Sequence, residues 1–147
     1  MNGRVLLLAA VAASAAVTAV SPAVAAPKEP ASQSSWATQA NKVCTVWLAK
    51  AKKEFGSPVT PAQLYTFAKK AKALETQELA VLAKIPGRTA AGTAALQAVV
   101  VDINEIGSAI TAWNQGNPAK FITILKKYLN DGRAKSAFAV AGATQCG

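Results

Sequence analysis

Two glutamates, Glu75 and Glu78, are the residues whose type and spacing could carry chemistry. They lie three positions apart in a segment with helical periodicity, and at about 100° per residue both fall within the sector of its apolar residues. Carboxylates at i and i+3 on an inward face bind metal ions in some helical bundles. Such a site also needs ligands from neighbouring helices, and the candidates here are Asp102 and Tyr128.

An ordinary structural role is the alternative for this glutamate pair. Both side chains would then lie at the boundary of the apolar face and pair with lysines such as Lys72 or Lys135. We favour this interpretation and expect no metal site, with Glu75 and Glu78 as the only candidates for one. Tyr65 and Tyr128 could ligate haem, but a tyrosine in an apolar stripe, such as Tyr128, is usually a core residue, so we expect no cofactor.

The sequence contains few other residues that could act in catalysis or bind a metal ion. Histidine is absent from the sequence, which removes the usual general base, the Ser-His and Cys-His nucleophile pairs and the commonest nitrogen ligand of metals. The sequence also contains no glycine-rich phosphate-binding motif and no CxxC pair. We therefore predict that the protein is not an enzyme.

The first 25 residues resemble a secretory signal peptide. Arg4 precedes an apolar run from Val5 to about Val20, and the small residues Ala23-Val24-Ala25 fit a cleavage site, which we place after Ala25. The run is shorter than the roughly 20 residues of a membrane span, which argues against the alternative of an uncleaved anchor. The sequence thus predicts an exported protein without a transmembrane segment after cleavage.

Two cysteines in an exported chain indicate a disulfide. Cys44 and Cys146 would close a loop of 102 residues. The alternative, two free thiols in a reactive or metal-binding site, lacks any histidine nearby. We predict one Cys44–Cys146 bridge.

Four segments of helical periodicity follow a Pro/Ser-rich stretch at residues 26–34, which we interpret as a disordered tether. We predict a single domain over residues 35–147, with helices from about Ser35 to Phe55, from an N-cap at Thr60 to the Pro86-Gly87 stop, from about Ala90 to Asn114, and from Pro118 to about Ala141. Short connections between four amphipathic helices predict an all-α, up-down-up-down four-helix bundle. In that topology the disulfide joins the two ends of the domain.

Two finer predictions concern the third and fourth helices. Gly107 lies in the apolar stripe of the third helix, which suggests a close approach between helices. The fourth helix, if uninterrupted, would bury one stripe of residues: Phe121, Ile124, Leu125, Tyr128, Leu129, Gly132, Ser136 and Ala139.

The charge balance is strongly basic. The chain has 16 basic and seven acidic side chains, a net charge of +9, which becomes +8 when Arg4 leaves with the signal peptide. Such a charge favours contact with anionic partners such as phospholipid headgroups or wall polymers, although plain solubility explains it equally well. The lysines that we expect to form possible contacts with an anionic surface are Lys50, Lys52, Lys53, Lys69, Lys70, Lys126 and Lys127.

Several short motifs resemble a group of small exported helical proteins of actinobacteria, mostly without an assigned function. They are QANKVC, TPAQL, LAVLAKIP and the terminal CG. The tyrosine-glycine pair usual before the last cysteine is absent, and Ala143-Thr144-Gln145 stands in its place. The resemblance implies a helical bundle with an end-to-end disulfide and brings no catalytic residues.

These observations predict an exported, non-catalytic binding or interaction module of the cell envelope or the extracellular medium, monomeric and without specific affinity for nucleic acid. Its partner would be an anionic envelope component or another envelope protein. The alternative is a carrier of a small apolar or lipid ligand in the bundle core. Small residues on the inner faces either let the helices pack closely or leave a cavity, and the sequence leaves this choice open.

Overall fold

The computed structural model describes residues 35–146, and this part of the chain is all helical. It contains five helices, α1 (Ser35–Glu54), α2 (Pro61–Leu82), α3 (Ala90–Asn114), α4 (Pro118–Asn130) and α5 (Arg133–Val140). The prediction of an all-α fold is confirmed. The predicted signal peptide (residues 1–25) and tether (residues 26–34) lie outside the described residues. Among α1 to α5, no helix combines the length and the apolar character that a membrane span requires.

The predicted starts of α2 and α4 are confirmed by their caps. At α2 the backbone N–H of Gln63 donates to the Thr60 hydroxyl at 3.2 Å, and the Gln63 side chain accepts from the Thr60 N–H at 3.0 Å. This reciprocal pair satisfies two backbone donors that a helix N-terminus leaves unpaired. At α4 the side chain of Asn117 accepts from the Lys120 N–H at 3.0 Å. In both helices proline follows the cap, where it sacrifices no intrahelical hydrogen bond.

The segment predicted as an uninterrupted fourth helix is divided into α4 and α5 at Asp131-Gly132. Asp131 leaves the helical conformation, with φ −83° and ψ 90°, and accepts the Arg133 N–H through both its carbonyl and its carboxylate, at 2.6 and 3.1 Å. These local bonds compete with the helical ladder, and glycine next to them disfavours a helix by about 1 kcal/mol.

The interruption changes which residues are buried beyond it. Phe138, beyond the break, is only 2% exposed, whereas Leu129, just before it, is 54% exposed. The predicted burial of Gly132, Ser136 and Ala139 is wrong, because an uninterrupted helical phase does not apply across the break. The predicted burial of Leu129, in the last turn of α4, is also wrong.

Helix α3 is the central element, since it packs against α2, α4 and α5. The buried residues form two clusters. The first, here called the disulfide cluster, contains Trp36, Ala37, Ala40, Cys44, Leu82, Ala95, Leu96, Phe138, Ala143 and Cys146. The second, here called the aromatic cluster, is built around Phe121 and contains Ala68, Ala71, Ile106, Ala109, Ala112 and Leu125.

The predicted disulfide is confirmed. Cys44 of α1 is bonded to Cys146, and their Cα atoms are 5.0 Å apart. The tail that carries Cys146 is also hydrogen-bonded to α1, because the Gln145 N–H donates to the Asn41 side chain at 2.8 Å. Gly142 has φ +81°, which lets the chain turn back after α5 so that the Ala143 N–H reaches the Phe138 carbonyl at 2.9 Å.

The close approach predicted at Gly107 occurs at a different glycine. A Cβ atom at Gly107 would meet the flexible end of Lys72, whose Nζ is 3.1 Å away. A Cβ atom at Gly92 would instead lie 3.0 Å from two ring carbons of the fully buried Trp36. Gly92 therefore provides the space in which the indole of Trp36 packs against α3.

Candidate functional site

An open cleft lies beside the break between α4 and α5. Its volume is about 370 Å³. Helix α2 contributes Glu75, Glu78 and Leu82, and α3 contributes Val99 and Asp102. The remaining lining comes from the end of α4, the break and α5: Tyr128, Leu129, Asn130, Asp131, Gly132, Ala134, Lys135 and Phe138. The structure thus brings together all four residues that the sequence analysis considered for a metal site, in a cleft that also has apolar walls.

Glu75 is half-buried in the cleft, and its two carboxylate oxygens have different surroundings. Its Oε1 accepts a short hydrogen bond from the Tyr128 hydroxyl, while its Oε2 is buried and has no hydrogen-bond partner among residues 35–146. Burial raises the pKa of Glu75 to about 7, against the opposing effect of the tyrosine hydrogen bond and with smaller contributions from Asp102 and Glu78. Burial and the adjacent Glu75 also raise the pKa of Tyr128, so this phenol stays protonated and donates.

Glu78 lies one turn further along α2. It makes no hydrogen bond or ion pair with any residue that the structure describes, and burial raises its pKa to about 7. The predicted pairing of the two glutamates with Lys72 or Lys135 is not found within residues 35–146. Lys72 extends towards Gly107 instead.

The other carboxylates near the cleft are grouped around Arg133. Its guanidinium group pairs with Asp131, with Glu105 at 3.6 Å and with Asp102 at 3.8 Å. Lys127 adds a second cation 2.7 Å from Glu105. Three carboxylate oxygens of this group lie within 4.8 Å of one another, close enough to hold a metal ion. Arg133 and Lys127 already pair with these carboxylates, so we assign the cluster a structural role.

Glu105, Asp131 and Arg133 were not predicted to belong to one site. Their proximity depends on the break, which the helical periodicity of residues 118–141 does not show. One signal was present, because Asn130-Asp131-Gly132 is a turn-forming sequence.

The two tyrosines considered as haem ligands have separate environments. Tyr65 belongs to the surroundings of the aromatic cluster, where its ring stacks on Trp113 at 5.2 Å and its hydroxyl donates to Asn114 at 2.8 Å. Tyr128 is hydrogen-bonded to Glu75 in the cleft. Both hydroxyl groups have the partners expected of tyrosines that help to form a core.

The lysines predicted to contact an anionic surface are all exposed. Lys50 lies over the ring of Trp47 at 4.6 Å, and Lys69 lies 5.5 Å from the ring centre of Tyr65. Lys70 borders a second open pocket of about 370 Å³, at the turn between α1 and α2. That pocket has the aromatic rings of Phe55 and Phe67 in its lining. It gathers few titratable groups, which is why the cleft is the better candidate for a specific ligand.

Comparisons with protein-family models, with curated proteins and with solved structures gave no match for this chain.

The stability of the domain should depend on pH through the cleft. Because burial raises the pKa of Glu75 and Glu78 from 4.5 to about 7, the folded state binds more protons than the unfolded chain between these values. We expect the free energy of unfolding to fall as the pH rises through this window and to level off above it. Urea unfolding followed by circular dichroism across this pH range would measure the decline.

A double variant, Glu75→Gln with Glu78→Gln, should lose most of this decline, and Glu54→Gln is the matched control because Glu54 is exposed and lies outside the cleft. The expectation is wrong if the wild-type protein gains stability across the window, or if the Glu54 variant flattens the profile as much as the double variant does.

Proposed function

We propose that this protein is an exported, non-catalytic binding module whose lysine-rich exterior contacts phosphate-bearing components of the cell envelope. One observation carries the proposal. Five of the six acidic side chains in residues 35–146 gather at the cleft and its Arg133 cluster, namely Glu75, Glu78, Asp102, Glu105 and Asp131. The remaining surface is left with almost uncompensated positive charge.

The distribution of cations supports this proposal. Of the 14 lysines and arginines in the described part of the chain, 12 are exposed. The sixth acidic residue, Glu54, lies 4.0 Å from Lys50 and compensates little of this charge. Positive charge without interspersed negative charge attracts polyanions over a Debye length, and each lysine near an anionic membrane contributes about 1 kcal/mol.

Export, monomeric state and topology belong to the same proposal. The disulfide is typical of proteins outside the cytoplasm and supports export. We also propose that the helices alternate in direction as an up-down-up-down bundle, in which α4 and α5 together form the fourth helical segment. The short connections support this, since residues 115–117 alone join α3 to α4.

The second function considered, a carrier of an apolar ligand inside the bundle, has less support. The two buried clusters are filled by large side chains, among them Trp36, Phe121 and Phe138, each at most 2% exposed. The cleft and the pocket at the turn between α1 and α2 are open at the surface, whereas a carrier would need a cavity inside the bundle.

Binding to phosphate-bearing partners can be tested with the chain from residue 26 onwards. We expect it to bind phosphatidylglycerol vesicles and soluble polyphosphate at about 50 mM salt, and to lose most of this affinity at about 500 mM because exposed charges are screened. Phosphatidylcholine vesicles should not bind. Binding to vesicles alone would identify a lipid headgroup as the partner, whereas binding to both would indicate phosphate in general. No binding to either at low salt would refute the proposal.

Two variants of equal charge distinguish a defined surface from net charge. Replacing Lys52, Lys53, Lys69 and Lys70 by glutamine removes predicted contacts and should weaken binding by at least about a hundredfold at low salt. The matched control replaces cations outside this set, namely Lys42, Lys84, Arg88 and Lys135, and should weaken it by less than about tenfold. Equal losses in the two variants would contradict a lysine surface at these positions.

A further inference from the structure

We propose that the cleft between α2, α3 and the α4–α5 break is a binding site for a small amphiphilic amine, with the ammonium group between Glu75 and Glu78 and the apolar part against Leu82, Val99 and Phe138. This site is independent of the lysine exterior. A ligand of this class is a primary amine attached to a short aliphatic or aromatic group.

Two carboxyl groups of the cleft form no ion pair with any described residue, although Lys135 also lines the cleft. Arg133 and Lys127 form ion pairs with the Asp102, Glu105 and Asp131 group. Glu75 and Glu78 make no ion pair with any residue of the described chain.

The hydrogen-bonding state of Glu75 adds a position for a donor. Tyr128 occupies one of its oxygen atoms, and the other is buried without a donor among residues 35–146. A buried acceptor without a partner costs free energy. An ammonium group carries three donors and a positive charge, so it can satisfy this oxygen and pair with Glu78 as well.

The walls of the cleft determine the rest of the ligand. Its apolar lining consists of Leu82, Val99, Leu129 and Phe138. A volume of about 370 Å³ is at the lower end of small-molecule pockets, which suits a ligand of roughly ten non-hydrogen atoms. A hydrated divalent cation fits this lining less well, because Ca²⁺ needs six to eight oxygen ligands and apolar walls provide none.

Binding should depend on pH because the carboxyl groups must be ionised. The other charged and titratable groups that line the cleft are Asp102 of α3, Tyr128 of α4, Asp131 in the break and Lys135 of α5. The adjoining cluster adds Glu105, Lys127 and Arg133. Protonation of the glutamates removes the charge that attracts the amine. Affinity should therefore fall at least about tenfold between pH ~8 and pH ~5.5, a range in which the amine itself stays protonated.

Isothermal titration calorimetry of the chain from residue 26 onwards, with 2-phenylethylamine as the probe, tests the proposal. We expect saturable binding at pH ~8 with a dissociation constant of about 1 mM or lower. The neutral analogue of the same size, 2-phenylethanol, should bind at least about tenfold more weakly. No saturable binding of the amine, or equal binding of the alcohol, would overturn the proposal.

Variants locate the site. Glu75→Gln and Glu78→Gln should each weaken amine binding at least about fivefold and together abolish it, and both should remain folded because neither introduces an uncompensated charge. Glu54→Gln is the matched control and should leave binding unchanged, since Glu54 lies outside the cleft. Equal loss in the control, or a site that takes Ca²⁺ in preference to the amine, would refute the assignment. Either this proposal or the lysine surface can fail alone, because their variants do not overlap.

Discussion

Replacing both cysteines by alanine, Cys44→Ala with Cys146→Ala, is expected to lower the free energy of unfolding by about 4–5 kcal/mol. The reason is the length of the loop that the bridge closes. Its cysteines are 102 residues apart, so the unfolded chain loses much of its conformational freedom while the bridge is intact. Urea unfolding followed by circular dichroism would measure the difference.

The reduced wild-type protein is the natural control for this prediction. With a reductant present, its unfolding midpoint should move close to that of the alanine variant, because both lack the cross-link and differ little in side-chain volume. A loss below about 1 kcal/mol would mean that the hydrogen bond between Gln145 and Asn41 and the burial of the tail hold the chain end without the bridge.

Truncating Trp36 to alanine should have the second largest effect, a loss of about 3–5 kcal/mol. Trp36 is fully buried in the disulfide cluster, and its ring lies parallel to that of Phe138 with centroids 6.5 Å apart. The six-membered ring of the indole also lies close to Gly92 of α3, so the truncation leaves a space between α1, α3 and α5. Circular dichroism is the suitable probe, because the substitution removes a fluorophore.

Two further substitutions sharpen this prediction. Trp36→Phe should cost much less than Trp36→Ala, because phenylalanine keeps most of the apolar contact and removes an indole N–H that has no hydrogen-bond partner within residues 35–146. Trp47→Ala is the matched control. Trp47 is only half-buried, with Lys50 over its ring, and its loss should cost about 1 kcal/mol. Equal costs at positions 36 and 47 would contradict the assignment of Trp36 to the core.

Sequence reasoning worked best where one residue type determines local geometry. The cap of α2 was predictable because threonine, proline and glutamine stand at the positions that a capping box requires, and the structure has both hydrogen bonds. The Cys44–Cys146 pairing was predictable for a different reason, since a chain with two cysteines offers a single intramolecular disulfide.

Prediction failed where the outcome depended on competition between local and helical hydrogen bonds. The apolar spacing of residues 118–141 fits one helix. Helix α4 ends because the Arg133 N–H bonds to Asp131 in place of a helical hydrogen bond. The Arg133 cluster and the cleft follow from this break, so neither was predictable from the periodicity. The position of Glu75 and Glu78 beside the apolar face of α2 was predictable, because both lie on α2 before any interruption, but the favoured pairing with lysines is not found among the described residues.

The two glycines of α3 illustrate a second kind of failure. Both Gly92 and Gly107 lie in one helix, and the sequence indicated a close approach at Gly107. Which glycine faces a bulky neighbour depends on the packing of α1 and α2 against α3. The structure places Trp36 against Gly92 and the end of Lys72 against Gly107.

The position of the disulfide determines how many proteolytic cuts are needed to release a fragment from the domain. Cys44 and Cys146 turn the chain between them into a covalent ring that contains α2, α3, α4 and α5. A single cut in any connecting segment, such as residues 83–89, opens the ring without releasing a fragment. The cleaved ends stay tethered within one molecule, and the hydrophobic clusters can hold them in register. Two cuts are needed before any piece of the ring between Cys44 and Cys146 is lost.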